Sequence, residues 1–206
     1  MVCMVRTKKT VGIINIAGGN IKSLYNAIEK KYYSVFEVSD ISKNIKFDAI
    51  IFPGVGNIAS LSKRLFSNKN SFIYEHIQLE RKIIGICMGF QILSEYSTET
   101  NPDSKGLSLL EGYTDKLKSV ESHIGWNSVN FSQNSIFAKF DKNDFYFNHK
   151  YKLHDFNPNF ITGSSHINEF ETIPAVFEKN NLIGFQFHPE KSQLVGNELL
   201  NHALAS

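Results

Sequence analysis

The stretch Lys82-Ile83-Ile84-Gly85-Ile86-Cys87-Met88-Gly89-Phe90-Gln91 runs an apolar, β-branched segment straight into a cysteine with a glycine two residues away on either side. A helical pattern follows, predicted over 88–97. A strand turning into a helix through a single residue is the geometry of a nucleophile elbow, in which the reactive side chain occupies a strained turn and the glycines leave room around it. The following helix would aim its N-terminus at the sulfur and favour the thiolate. An isolated cysteine ending a strand is more often plain core. The paired glycines and the strand-to-helix context favour the nucleophile here.

Outward from the elbow, the first half of the chain alternates apolar runs with helix-period segments. Strands are predicted at 11–16, 34–38, 48–52 and 82–86. Gly18-Gly19-Asn20 turns the chain after the first, and Ile21, Leu24, Tyr25 and Ile28 recur on one helical face. Phe72, Ile73, His76, Ile77 and Leu79 predict a helix before the elbow strand. Such alternation implies right-handed βαβ units, an α/β fold with a mostly parallel open sheet flanked by helices, and a site at the carboxyl ends of the strands. After Asn101-Pro102 the pattern becomes short, aromatic and β-branched, with strands predicted at 113–117, 126–131, 145–149, 160–164, 175–178 and 182–187: a β-rich C-terminal half. A last helix is expected over 192–204, with Leu194, Leu199 and Leu200 on its core face. No repeat or linker interrupts this, so 1–10 reads as an N-terminal tail and 11–206 as a single domain.

The composition narrows the function. Lys+Arg 22 against Asp+Glu 20 in 206 residues gives a net charge of +2, which offers no global field for nucleic acid or an anionic membrane. The longest apolar stretches, 49–56 and 83–90, are eight residues each and contain glycine, far short of the ~18 needed to span a bilayer. The basic start followed by a brief apolar run lacks a cleavage pattern. Two cysteines, Cys3 and Cys87, are too few for the disulfide framework of a secreted domain. A cytoplasmic protein is expected.

A thiol nucleophile needs a base, and the base needs an acceptor to orient it. His188-Pro189-Glu190 follows the strand-like 182–187, and residues two apart in an extended segment share a side. That spacing sets the Glu190 carboxylate beside the His188 imidazole, with Pro189 limiting the backbone between them. Acyl transfer also needs an oxyanion hole. Pro53-Gly54-Val55-Gly56 follows the third strand, and its glycines let the peptide near Gly54 and Val55 present an N–H; the second donor is the backbone N–H of Met88. Gly18-Gly19 lacks the spacing of a phosphate loop.

Gly-Ile-Cys-Met-Gly-Phe-Gln at 85–91 together with Phe-His-Pro-Glu at 187–190 resembles the class I (triad) glutamine amidotransferases. Pro-Gly-Val-Gly at 53–56, Gly-Trp-Asn at 125–127 and His-Pro-Glu-Lys-Ser-Gln at 188–193 are similar, within that family, to the glutaminase subunits of imidazole glycerol phosphate synthases. The resemblance runs from about residue 11 to 204. It implies a flavodoxin-like core, hydrolysis of L-glutamine through a cysteinyl thioester without metal or other cofactor, and delivery of ammonia to a (β/α)8-barrel cyclase partner in histidine biosynthesis. It makes Cys87 the nucleophile, His188 the general base and acid, and Glu190 its partner. Gln91 and Glu99 would hold the amino-acid end of glutamine, and Gly56 with the loop His149, Lys150 and Tyr151 would line the pocket. Trp126 and Asn127 are expected near the partner face.

Three departures from the family pattern stand out: Lys150 where serine is usual, Asn15-Ile16-Ala17-Gly18-Gly19-Asn20 in the first loop, and Ser122 in place of a proline. They keep open a paralogue that supplies ammonia to a barrel partner for amidation or amidination of a surface sugar. Stand-alone cysteine hydrolases of similar fold, glyoxalase-like or γ-glutamyl, are disfavoured by Met88 where the first kind has His directly after Cys, and by the separated His188-Pro189-Glu190. An inactive docking or regulatory module is disfavoured by the filled triad.

Overall fold

The computed structural model describes residues 8–19, 21–42, 45–67 and 72–206. Cys3 and most of the predicted tail lie outside them. The strands are β1 (Lys9–Ile14), β2 (Tyr33–Val38), β3 (Ala49–Phe52), β4 (Lys82–Ile86), β5 (Tyr96–Ser97), β6 (Ser104–Lys105), β7 (Tyr113–Lys116), β8 (His123–Ser128), β9 (Asn130–Phe131), β10 (Asp144–His149), β11 (Tyr151–His154), β12 (Ile161–His166), β13 (Thr172–Lys179) and β14 (Leu182–Phe185). The helices are α1 (Lys22–Ala27), α2 (Ile58–Ser67), α3 (Phe72–Gln78), α4 (Met88–Gln91) and α5 (Gln193–Ala205).

Among the described residues, eight strands form one sheet in the order β2-β1-β3-β4-β14-β13-β12-β9. The first five run parallel, and the remainder are antiparallel. Within the parallel half, both faces of β3, β4 and β14 are covered, which is why these strands read as unbroken apolar runs, whereas the edge strand β2 exposes Phe36 and Glu37. On β3, Ala49 and Ile51 enter the core beneath α1 and α5, while Ile50 and Phe52 enter the opposite core with Ile58, Leu61 and Leu65 of α2. β8 and β10 form an antiparallel ribbon, and β11-β7-β5-β6 a second small sheet. No described helix is long and apolar enough to cross a membrane.

Several boundaries differ from the sequence reading. The helix expected over 88–97 stops at Gln91, and Tyr96–Ser97 is already a strand that pairs with β6 and β7. The strand expected over 126–131 is two strands, β8 and β9, belonging to different sheets. Leu194 is 78% exposed, so the buried face of α5 is Gly196, Leu199, Leu200, Ala203 and Leu204. Helix α2 had not been expected, although Asn57 accepts the N–H of Ser60 as an N-cap and Ile58, Leu61 and Leu65 follow at helical spacing.

Candidate active site

The register of the two central strands builds the site. Gly85 lies opposite Gly184 and Ile86 opposite Phe185, so β4 and β14 deliver Cys87 and His188 to the same end of the sheet. Cys87 holds φ 47° and ψ −108°, a backbone region that L-residues rarely adopt, and its N–H is tied to Phe185 O at 2.7 Å. Its glycine neighbours are steric requirements. A methyl group at Gly85 would meet Gly89 O at 2.5 Å, and one at Gly89 would run into the carbonyl of Phe52. The thiol is buried, donating to Asn148 O at 3.6 Å, with Gln186 Nε2 3.8 Å from the sulfur. Helix α4 has only one turn, so its dipole acts weakly on the sulfur.

His188 is the imidazole within hydrogen-bond reach of that sulfur. Its Nδ1 lies 2.8 Å from Glu190 Oε1, and both side chains are buried. The pairing arises differently from the extended-segment reading, because Pro189–Lys191 is a 3-10 turn with His188 at its N-cap. Burial pushes the imidazole pKa down, but the Cys87 thiolate and the Glu190 carboxylate outweigh it and raise it to about 10. Ser192, fully buried, fixes the turn: its Oγ donates to His188 O at 2.7 Å and accepts the Tyr146 N–H at 3.0 Å. Gly54 completes the enclosure, since a Cβ on it would sit 2.6 Å from His188 Cε1 and 2.9 Å from Cys87 Cβ. The 53–56 loop therefore lies against the reactive pair. Gly56, at φ +114°, packs on Ala17 and Gly18, and Val55 packs on Gly19.

The expected pocket residues divide into two groups. Gln91 is buried, and its Nε2 donates to Tyr151 O at 2.9 Å. His149 is buried as well, and its Nδ1 lies 2.9 Å from the same carbonyl. Burial holds the His149 pKa down at about 3, so the ring is neutral. Lys150 and Glu99 stand apart. The Lys150 side chain is exposed and lies 3.5 Å from Glu121, while its carbonyl accepts the Leu117 N–H at 2.9 Å. Glu99 is exposed, yet near enough to Tyr151 to contribute, after burial, to raising that phenol's pKa. The residues expected to form a loop, 149–151, are a one-residue junction between β10 and β11.

The chain matches the glutamine amidotransferase class-I family over residues 13–204. It belongs to that family. The imidazole glycerol phosphate synthase subunit HisH of Thermotoga maritima is 34% identical over 200 residues, covering 94% of this chain and 96% of that protein. The protein of the same name from Oceanobacillus iheyensis is 36% identical over 195 residues, covering 92% and 96%. In fold, this amidotransferase is similar to a chain in the structure of PurLQS from Thermotoga maritima, with a TM-score of 0.68, 18% identity and coverage of 97% and 99%. The crystal structure of another glutamine amidotransferase gives a TM-score of 0.73 at 15% identity, covering 95% and 97%.

Three residues at the amidotransferase site were not anticipated. Gln186 is completely buried and bridges Gln91 to the Cys87 sulfur; its signal is a polar residue at the period-two position of His188 in an otherwise apolar strand. Ser192 is the second. The third, Glu171, accepts the N–H groups of Lys118 and Ser119 and binds Lys152 Nζ at 2.7 Å, which secures the segment behind Lys150. Asn127, expected near the partner face, turns inward to His166 O at 2.6 Å, whereas Trp126 is 48% exposed beside Tyr146.

Proposed function

We propose that this amidotransferase is the glutaminase subunit of an imidazole glycerol phosphate synthase. In this reading the Cys87 thiolate attacks the carboxamide carbon of L-glutamine, and the oxyanion is received by the N–H groups of Met88 and of Val55, presented by the loop at Gly54. His188 protonates the leaving nitrogen, and ammonia departs from a glutamyl thioester. His188 then takes a proton from water, whose oxygen attacks the thioester carbon to release glutamate and restore the thiolate. Glu190 steadies the imidazolium in both steps. Gln91, its amide nitrogen spent on Tyr151 O, offers its oxygen to the substrate's α-ammonium, with Gly56, Glu99 and the 149–151 backbone around it. The observation that carries the reading is the buried His188–Glu190 pair beside a cysteine strained at φ 47°.

Ammonia then passes to a (β/α)8-barrel cyclase, which forms imidazole glycerol phosphate and an aminoimidazole nucleotide in the cytoplasm. Exposed Ile124 and Trp126 on β8, with Lys191 Nζ over the Tyr146 ring, supply an apolar and cationic face beside the site for that partner. Incubating the chain with glutamine and the cyclase should yield glutamate in step with cyclase turnover. Cys87→Ala should abolish glutamine use while ammonia-driven synthesis persists. Failure of the chain and its genomic barrel neighbour to restore growth of a histidine auxotroph would instead favour the sugar-modifying paralogue. Two departures bear on that paralogue, Lys150 and Ala17, the latter packed against Gly56 of the 53–56 loop.

A further inference from the structure

The carbonyl of Tyr151 is held from two sides, by Gln91 on the elbow helix and by His149. His149 is itself held: its Nε2 lies 3.1 Å from Nδ1 of His123, a buried residue on β8. His123 Nε2 lies 3.3 Å from Asn127 Nδ2, and that same amide nitrogen donates to His166 O at 2.6 Å at the end of β12. Asn127 Oδ1 accepts the N–H of Ser128 at 2.9 Å, which fixes the orientation of the amide.

With both rings neutral, this chain of contacts admits one proton assignment. A carbonyl only accepts, so His149 Nδ1 carries the hydrogen and its Nε2 is the acceptor. His123 must therefore donate through Nδ1 and accept at Nε2, and the Asn127 amide is the donor that Nε2 requires. Both rings are neutral in this arrangement, in keeping with burial lowering the pKa of each. Phe147, 4.5 Å from the His123 ring and nearly stacked on it, limits rotation of that ring. The network runs unbroken from the pocket wall to the ribbon that carries Trp126, and neither His123 nor Asn127 belongs to the triad or to the pocket lining.

We propose that His123 and Asn127 are positioning residues for glutamine: they lock His149 in one orientation and so hold the Tyr151 carbonyl, and the 149–151 backbone with it, where the substrate's amino-acid end binds. This rests on the glutaminase reading above. The grip on that end is the same before and during bond breaking, so loosening it weakens substrate binding and leaves the chemical step nearly unchanged.

Two measurements on the full chain test this. Nitrogen-15 NMR of histidine-labelled protein at neutral pH should place both rings in the Nδ1–H tautomer, with the His123 signals identified by their loss in His123→Asn. Either ring found as Nε2–H, or doubly protonated, overturns the proposal, and this readout is independent of glutamine. In the complex with the synthase partner, His123→Ala should raise the KM for glutamine about 5-fold, the equivalent of one lost hydrogen bond, with kcat within about 2-fold. His123→Asn, whose amide nitrogen takes the place of Nδ1, should recover most of that KM. Asn127→Ala, at a half-buried position, should raise KM by about 3-fold and serves where His123→Ala does not fold. An unmoved KM, or equal losses in the Ala and Asn variants of His123, sinks the proposal alone. A wild-type complex that does not turn over glutamine sinks the glutaminase reading and this proposal with it.

Discussion

Gly54 lies so close to His188 that a methyl group on its Cα would sit 2.6 Å from the imidazole Cε1. Gly54→Ala should therefore either displace the base or push the 53–56 loop off the site and remove its oxyanion donor. Glutamine-dependent turnover of the complex should fall by about 100-fold or more, while turnover driven by added ammonium salt stays near wild type. Parallel assays with the two nitrogen sources check this, and an equal loss in both would locate the damage at the partner interface instead.

The raised His188 pKa sets a pH dependence. The imidazolium exists below its folded pKa of about 10 and is lost as pH rises through it, so the alkaline limb of kcat/KM for glutamine should lie near that value. Glu190→Gln removes one of the two groups holding the proton on. Its limb should move to lower pH, in addition to any loss in maximal rate. An alkaline limb that does not shift would show that Glu190 does not stabilise the charged ring.

Ser192 precedes α5 without capping it; its hydroxyl serves His188 O and the Tyr146 N–H instead. Ser192→Ala should leave the Tyr146 N–H unpaired in a buried site, while His188 O keeps the Lys191 N–H at 3.0 Å, and should cost about 1–2 kcal/mol in denaturant unfolding. Glutamine hydrolysis should fall with it, because the turn carrying the base loses its anchor. A loss of a few tenths of a kcal/mol would mean that the turn is held by its own backbone bonds.

Glu171 has its carboxyl pKa lowered to about 2; burial opposes ionisation, but the Lys152 ammonium and the Ser119 and Lys118 donors outweigh it. A depressed carboxyl pKa stabilises the fold above its ordinary unfolded value of 4.5, and that contribution disappears as pH falls from there toward 2. Melting temperatures of the wild type should thus drop more steeply across this window than those of Glu171→Gln. The variant should be the less stable protein at pH 7, and the two curves should converge in acid. Parallel curves would overturn the assignment.

The elbow turn and the His188–Glu190 pairing were legible because each depends on contacts local in sequence: Gly85 and Gly89 around Cys87, and Glu190 two residues from His188. The parallel strands were legible because double-sided burial leaves an apolar run in the chain. What was hidden depends on distant partners. Gln186 and Ser192 look like ordinary polar residues until β4 and β10 arrive beside them, and Glu171 acquires its role from Ser119 and Lys152. The expected helix beyond Gln91 failed for a similar reason: Tyr96 and Ser97 have strand partners in Lys105, Ser104 and Thr114 that outcompete local helical propensity.

Strand β14 is the last to appear in the chain, yet it occupies a central place in the large sheet, between β4 and β13. During synthesis the sulfur is made long before its base, and the two meet only when this late strand, the hairpin partner of β13, pairs with β4. The enzyme is therefore inert until its fold is nearly finished. Pairing across so long a span of chain is slow, so maturation of activity should trail collapse of the N-terminal half.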